Sequence, residues 1–132
     1  MPNTITKTIL EQGERNLSVL VNIVGDGSGD YAAAVLIDRS DYPDATGLKL
    51  VVNRVQGLIG GFSALLLFDA TTDLPIAALP DAEPFNFDWH KVGGVASSKA
   101  GAGYNGDILI TTTGLGSGDR GTFTLSMRKG GP

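Results

Sequence analysis

Three groups of residues in this chain have types and spacings that could do chemistry. The first is a pair of glycine-rich phrases, Gly25-Asp26-Gly27-Ser28-Gly29-Asp30 and Gly114-Leu115-Gly116-Ser117-Gly118-Asp119, each ending in Gly-Ser-Gly-Asp. Glycine loops cradle phosphates when they open a helix whose first N–H groups face the anion. Neither phrase matches Gly-x-x-x-x-Gly-Lys-Ser/Thr and neither leads into a helical pattern, so phosphate is not their ligand. Asp26, Ser28 and Asp30 alternate as hard oxygen ligands do in a calcium loop, but residues 31–37 supply neither a further ligand nor the bidentate glutamate. The plainer account is that these aspartates accept hydrogen bonds from turn backbone.

The second group is His90 with Asp88. On a strand, residues two apart share a face, as a general base and its orienting carboxylate would. No Gly-x-Ser-x-Gly elbow accompanies them, the chain has no cysteine, and one histidine cannot build a histidine-rich metal site. A surface or rim histidine is the better account, so no catalytic residue, metal ligand or cofactor is assigned. The third group is Phe85, Phe87 and Trp89, which alternate with Asn86 and Asp88 and so point the same way. They form either a sugar-stacking platform or three rings closing one end of a core, and alternation predicts both equally. Asn16-Leu17-Ser18 has the form of a glycosylation acceptor but lies mid-strand and is discounted.

The elements that must position these groups all read as strands. Residues 4–11 carry three threonines and two isoleucines, with Ile5 and Ile9 on one face and Thr4, Thr6, Thr8 and Leu10 on the other. In 15–24, Leu17, Val19, Val21 and Ile23 align; in 31–38, Ala33, Val35 and Ile37 do. Residues 48–56, 76–79 and 107–113 are shorter or less regular runs, with 39–47 and 71–75 as loops. Residues 62–68 are apolar on both faces, Phe62, Ala64, Leu66 and Phe68 against Leu65 and Leu67, which marks an inner strand or a subunit contact. Residues 93–106 show no pattern and read as the longest loop. Residues 122–128 are the most regular run, with Phe123, Leu125 and Met127 inward. Apolar runs joined by a Gly/Asp/Ser cluster predict a β-hairpin at each Gly-Ser-Gly-Asp phrase, two matched tips that set register near the two ends.

About eight strands spaced by turn signals, with no convincing helix, predict an all-β fold: an antiparallel β-sandwich, with the jelly roll as one form of it. An up-and-down barrel is the alternative. At 132 residues the chain is expected to be one domain spanning 1–132 and to bury roughly two thirds of its unfolded surface. Residues 1–14 are an N-terminal arm or edge strand, and 129–132 a flexible tail. Nineteen glycines are about twice the usual share, as many tight turns require. The net charge is -4 and the ten lysines and arginines are scattered, so the footprint of a nucleic-acid binder is missing. No run of about 18 apolar residues offers a membrane span. The opening Met-Pro-Asn-Thr-Ile-Thr-Lys lacks the apolar core of a secretory signal, so export by that route is not expected. The missing cysteines suit a reducing compartment, or a protein held by its core and its assembly partners.

Several segments together resemble small virion structural proteins of tailed bacteriophages. They are Thr-Ile-Thr-Lys-Thr-Ile-Leu (4–10), Gly-Glu-Arg-Asn-Leu (13–17), Val-Asn-Ile-Val-Gly-Asp-Gly-Ser-Gly-Asp (21–30), Leu-Leu-Leu-Phe-Asp-Ala-Thr-Thr-Asp (65–73) and Gly-Asp-Ile-Leu-Ile-Thr-Thr-Thr-Gly-Leu-Gly-Ser-Gly-Asp (106–119). The resemblance covers most of the chain and includes no catalytic signature. It implies a non-enzymatic component of the virion, made in the host cytoplasm, that decorates or cements the head. Its partners would be the major capsid protein or other virion proteins, and it would work as a homo-oligomer without nucleic acid or membrane. No site residue of the family carries over. From the residues themselves, the candidate contact surface is Thr4, Ile5, Thr6, Lys7 and Thr8, whose extended run could pair with a neighbour's sheet edge, together with Asp26, Ser28, Asp30, Ser117 and Asp119 at the two turns. Residues 4–10 read equally well as an inner strand. The alternative function is a host-surface recognition module on a tail or head fibre, binding glycans through Phe85, Phe87 and Trp89.

Overall fold

The computed structural model of the chain describes residues 4–12, 16–27, 29–38, 50–89, 94–96, 101–103 and 106–129. Among them are ten strands and no helix: β1 (Thr4–Gln12), β2 (Asn16–Val24), β3 (Ala34–Ile37), β4 (Leu50–Gly60), β5 (Ser63–Phe68), β6 (Leu74–Leu79), β7 (Phe85–Asp88), β8 (Val95–Ala96), β9 (Ile108–Thr113) and β10 (Arg120–Lys129). Period-two alternation decides most of them, because it gives each strand one face to bury. Leu17, Val19, Val21 and Ile23 of β2 and Phe123, Leu125 and Met127 of β10 all lie in the core. So do Phe62 and, in β5, Ala64, Leu66 and Phe68.

The strands form two antiparallel sheets. The larger runs β1-β2-β10-β4-β7, with β8 also on β4, and the smaller runs β3-β9-β5-β6. Most strands consecutive in sequence change sheet, the exceptions being β1 to β2, β5 to β6 and β7 to β8. β2 and β10 pair in the larger sheet and continue into β3 and β9, which pair in the smaller. In the same way β4 and β7 continue into β5 and β6. Arg120 stands opposite both Val24 and Gly60, so the two ribbons fold over at the same rim. Two antiparallel ribbons folded across one rim make a jelly-roll sandwich, with β1 and β8 added to its larger sheet. The expected all-β antiparallel sandwich is the fold observed, and its alternative, the up-and-down barrel, is not.

Four local expectations need correcting. The Gly-Ser-Gly-Asp phrases are not hairpin tips: β2 already has β1 on one edge and β10 on the other, so the chain leaving it must join the other sheet. In β3, Val35 and Ile37 do not share the inner face. A register shift between them opposite β9 turns Leu36 inward with Ile37, both fully buried, and leaves Val35 51% exposed. The region 93–106 is not all loop, since β8 lies within it. There β8 continues the line of β7 along β4: the Trp89 N–H donates to the Asn53 carbonyl at 2.9 Å, and the Gly94 N–H to the Trp89 carbonyl at 2.9 Å. Lys129 belongs to β10 rather than to a tail, and residues 130–132 lie outside the described ones.

Of the two readings of the N-terminal residues, the edge strand holds. β1 pairs along its length with β2, with one register slip between Ile9 and Glu11. The Lys7 ammonium donates to the Leu36 carbonyl of β3 at 2.9 Å, tying the outer strands of the two sheets together. β5 lies between β9 and β6 and is an inner strand of its sheet.

Candidate functional site

The rim where the ribbons fold gathers four of the sequence-predicted contact residues, Asp26, Asp30, Ser117 and Asp119. The Gly25 N–H donates to the Asp119 carbonyl at 2.8 Å, and the Gly118 N–H donates to the Gly25 carbonyl at 3.0 Å, so the two phrases lie against each other. A Cβ on Gly25 would run into the Gly116 carbonyl, so only glycine permits that approach. Asp30 reaches from the first phrase to the second. Its Oδ1 accepts from the Leu115 N–H at 2.8 Å and the Thr112 hydroxyl at 3.1 Å, and its Oδ2 from the Gly114 N–H at 3.2 Å. Thr112, 3% exposed, completes the lock by accepting from the Tyr31 N–H at 2.9 Å. Its own N–H donates to the Tyr31 carbonyl at 3.0 Å.

Two other carboxylates of the rim act alike. Asp119 accepts from the Gly116 N–H at 2.7 Å, and Asp81, on the second ribbon, accepts from the Gly61 N–H at 2.8 Å. Donation from the Leu115 N–H, above all, holds the Asp30 carboxyl below its ordinary value; burial opposes the shift, and Gly114 and Thr112 reinforce it. The Tyr31 phenol is pushed up, first by burial and then by the negative charge of Asp26. The expectation that the aspartates of the first phrase serve turn backbone is met at Asp30, and Asp119 does the same in the second phrase. Ser117 is exposed beside them, and Ser28 lies outside the described residues. Among the described residues no three His, Asp or Glu side chains gather as metal ligands would. Asp81 gave no signal in the sequence, since its role depends on β4 and the chain before β7 meeting at the rim.

The remaining contact candidates adjoin this corner. Thr4 stands opposite Val24, one residue before Gly25, so β1 starts at the rim and runs away from it along the sheet edge. Ile5 is half-buried, and Thr4, Thr6, Lys7 and Thr8 are exposed. Behind them the larger sheet carries a polar outer face that follows from register alone. Thr6, Asn22, Thr122 and the 50% exposed Leu58 form one row, Thr8, Leu20, Thr124, Gln56 and Asn86 a second, and Ser18, Ser126, Arg54 and Asp88 a third, so polar side chains predominate. The Thr122 hydroxyl donates to Asn22 Oδ1 at 2.6 Å, and Arg54 Nε donates to Asn86 Oδ1 at 2.9 Å. Alternating threonines and serines signal such a face in sequence, but which rows align depends on strand order. The outer face of the smaller sheet is mixed: Val35, Leu109, Leu67 and Pro75 stand in one row, Thr111, Leu65 and Ala78 in the next, and Thr113 and Ser63 beyond it.

The aromatic strand sits at the opposite edge of the larger sheet. Phe85 is buried and packs at 6.3 Å on Phe123, while Phe87 and Trp89 are half-buried and stack at 5.9 Å with their planes 10° apart. All three rings therefore face the sandwich interior and cover its end. His90 lies outside the described residues, and Asp88 is exposed.

No protein-family model matches the chain, and no curated protein matches it. Among solved structures, it is similar to a cupin domain from Bordetella pertussis Tohama I at 11% identity, covering 98% of each chain with a TM-score of 0.40. It is also similar to a cupin superfamily protein from Desulfitobacterium hafniense DCB-2 at 14% identity, covering 98% of this chain and 80% of that one with a TM-score of 0.35. Similarity at this level establishes no kinship. The architecture rests on the strand pairings themselves.

Proposed function

We propose that the chain is a non-enzymatic structural subunit of a tailed-bacteriophage virion, a decoration or cement protein that binds the outside of the head and stabilises it. The observation that carries this reading is where the polar side chains lie. They are spread in rows over a flat sheet face, along an edge strand and around a locked corner, rather than gathered in a cleft as binding and catalytic sites for small molecules are. A broad, largely polar face beside an edge strand suits docking onto another protein. Jelly rolls serve in viral capsids and in lectins alike, so the fold by itself does not choose between particle and sugar. The likeness of residues 4–10, 21–30, 65–73 and 106–119 to phage structural proteins favours the particle. In this reading Thr4 to Thr8 and the corner residues Asp26, Asp30, Ser117 and Asp119 belong to the contact surface, and the partners are the major capsid protein or other virion proteins.

The test is to add purified protein to expanded capsids that lack it. It should sediment with the shells at a fixed stoichiometry and raise their melting temperature. Shells that leave the protein in the supernatant rule the reading out.

One observation favours a second reading, recognition of host-surface glycans. Phe87 and Trp89 keep part of their stacked surface accessible at a sheet edge, and aromatic faces are what sugars stack on. Under it, Trp89→Ala abolishes binding to cells or glycan arrays with the fold intact. Under the decoration reading, that variant binds shells as well as the wild type does.

A further inference from the structure

β1 ends the larger sheet, and no described strand pairs with its outer edge. Such an edge presents a row of N–H and C=O groups that will accept another strand unless something prevents it. Proteins blunt edges with proline, inward-pointing charge or bulges. β1 has no proline. Its lysine, Lys7, is such an inward-pointing charge, but its ammonium is held by the Leu36 carbonyl of its own chain at 2.9 Å. Its register slip falls between Ile9 and Glu11. The stretch Thr4–Ile9 therefore pairs regularly with β2 and, among the described strands, has no partner on its outer edge.

The sequence of that stretch contains a palindrome, Ile5-Thr6-Lys7-Thr8-Ile9. Two copies laid antiparallel about a two-fold axis at Lys7 set Ile5 opposite Ile9 and Thr6 opposite Thr8, twice each. Residues opposite one another in an antiparallel pair point to the same face. The isoleucines thus meet on the sandwich side and the threonines on the outer side. Ile9 is a large apolar side chain left 49% exposed, and this pairing covers it with Ile5 of the second copy. A slip by two residues in either direction sets an isoleucine opposite Lys7 and loses both Ile–Ile contacts, so the side chains select the central register. The opposing term is Lys7 facing Lys7 across the axis, which is unfavourable. It is eased because each ammonium is drawn inward to its own Leu36 carbonyl.

We propose that β1 is the seam of a homodimer: a second copy of this chain pairs with it antiparallel, about a two-fold axis at Lys7, so that the two larger sheets become one continuous sheet. The interface is isologous, the commonest kind in soluble homo-oligomers. The proposal goes beyond the virion reading and stands without it, because it concerns the free protein in solution.

The chain has no cysteine, so a single introduced cysteine reports its own neighbourhood. Under mild oxidation Lys7→Cys should form a covalent dimer, because its two copies meet on the axis. Thr124→Cys, on β10 and two strands in from the edge, should not. An equimolar mixture of Ile5→Cys and Ile9→Cys chains should crosslink while each alone does not; this arm keeps the test decisive if Lys7→Cys fails to fold. Sedimentation of the wild type should give a dimer, tightened by added salt as the lysine repulsion is screened. A wild type that stays monomeric to its solubility limit overturns the proposal. So does a dimer that crosslinks at Thr124→Cys, or one in which the Ile5/Ile9 mixture does not crosslink.

Discussion

Protonating Asp30 takes acceptor capacity from a carboxylate that receives two backbone N–H groups and a hydroxyl from the other end of the chain. Its folded value lies below the ordinary 3.8, so the sign of the linkage is fixed. The stability it contributes is full above the ordinary value and is lost as pH falls through the folded one. Asp30→Asn should therefore melt lower than wild type at neutral pH, and the gap should close on acidification below the ordinary 3.8. Melting curves of both proteins across that range check this, and a gap that persists in acid contradicts it. That the aspartates of the Gly-Ser-Gly-Asp phrases serve turn backbone was legible from residue type. That Asp30 serves a turn 84 and 85 residues away was not, because a local pattern carries no information about which turn comes to lie beside it.

At the scale of elements, alternation read β2 and β10 correctly and failed where a strand is short or irregular: β4, expected over 48–56, runs Leu50–Gly60 with a register shift opposite β10 and Val51 buried beside Leu50 and Val52. β2 and β10, with nine and ten residues, each have an unambiguous inner face. β3 has four residues and a register shift within them, so the parity that aligned Val35 with Ile37 in sequence does not survive pairing with β9. β8, only two residues long, offers too little pattern to be seen at all. The reversal of Val35 and Leu36 has a measurable consequence. Leu36→Ala should cost about 2–5 kcal/mol, the range for emptying a buried leucine site. Val35→Ala should stay within about 0.5 kcal/mol, as surface changes do. Denaturant unfolding of the pair checks it, and equal costs would remove the register shift from the account.

At the scale of the whole molecule, the composition pointed to a two-sheet sandwich, but turn signals suggested hairpins where the chain in fact changes sheets. Gly-Ser-Gly-Asp specifies a reversal with room for close backbone approach. Whether the next strand stays in its sheet depends on edges already taken, here β1 and β10 on the two sides of β2. The two phrases that look alike in sequence are alike in place as well: they are the paired corners of one ribbon, locked by Asp30. A subunit built this way has a locked rim, a largely polar face and, at β1, a long edge strand with no partner among the described strands, which are attributes that suit a shell-binding module. The central claim is that this module belongs to the virion and sits on the head. A density map of the intact phage particle, at a resolution that distinguishes individual domains, tests it most directly. The account predicts a two-sheet domain of this shape repeated over the outer surface of the head, with its polar sheet or its corner against the capsid. A particle whose head shows no such density contradicts it, as does one in which the domain appears only at a fibre tip.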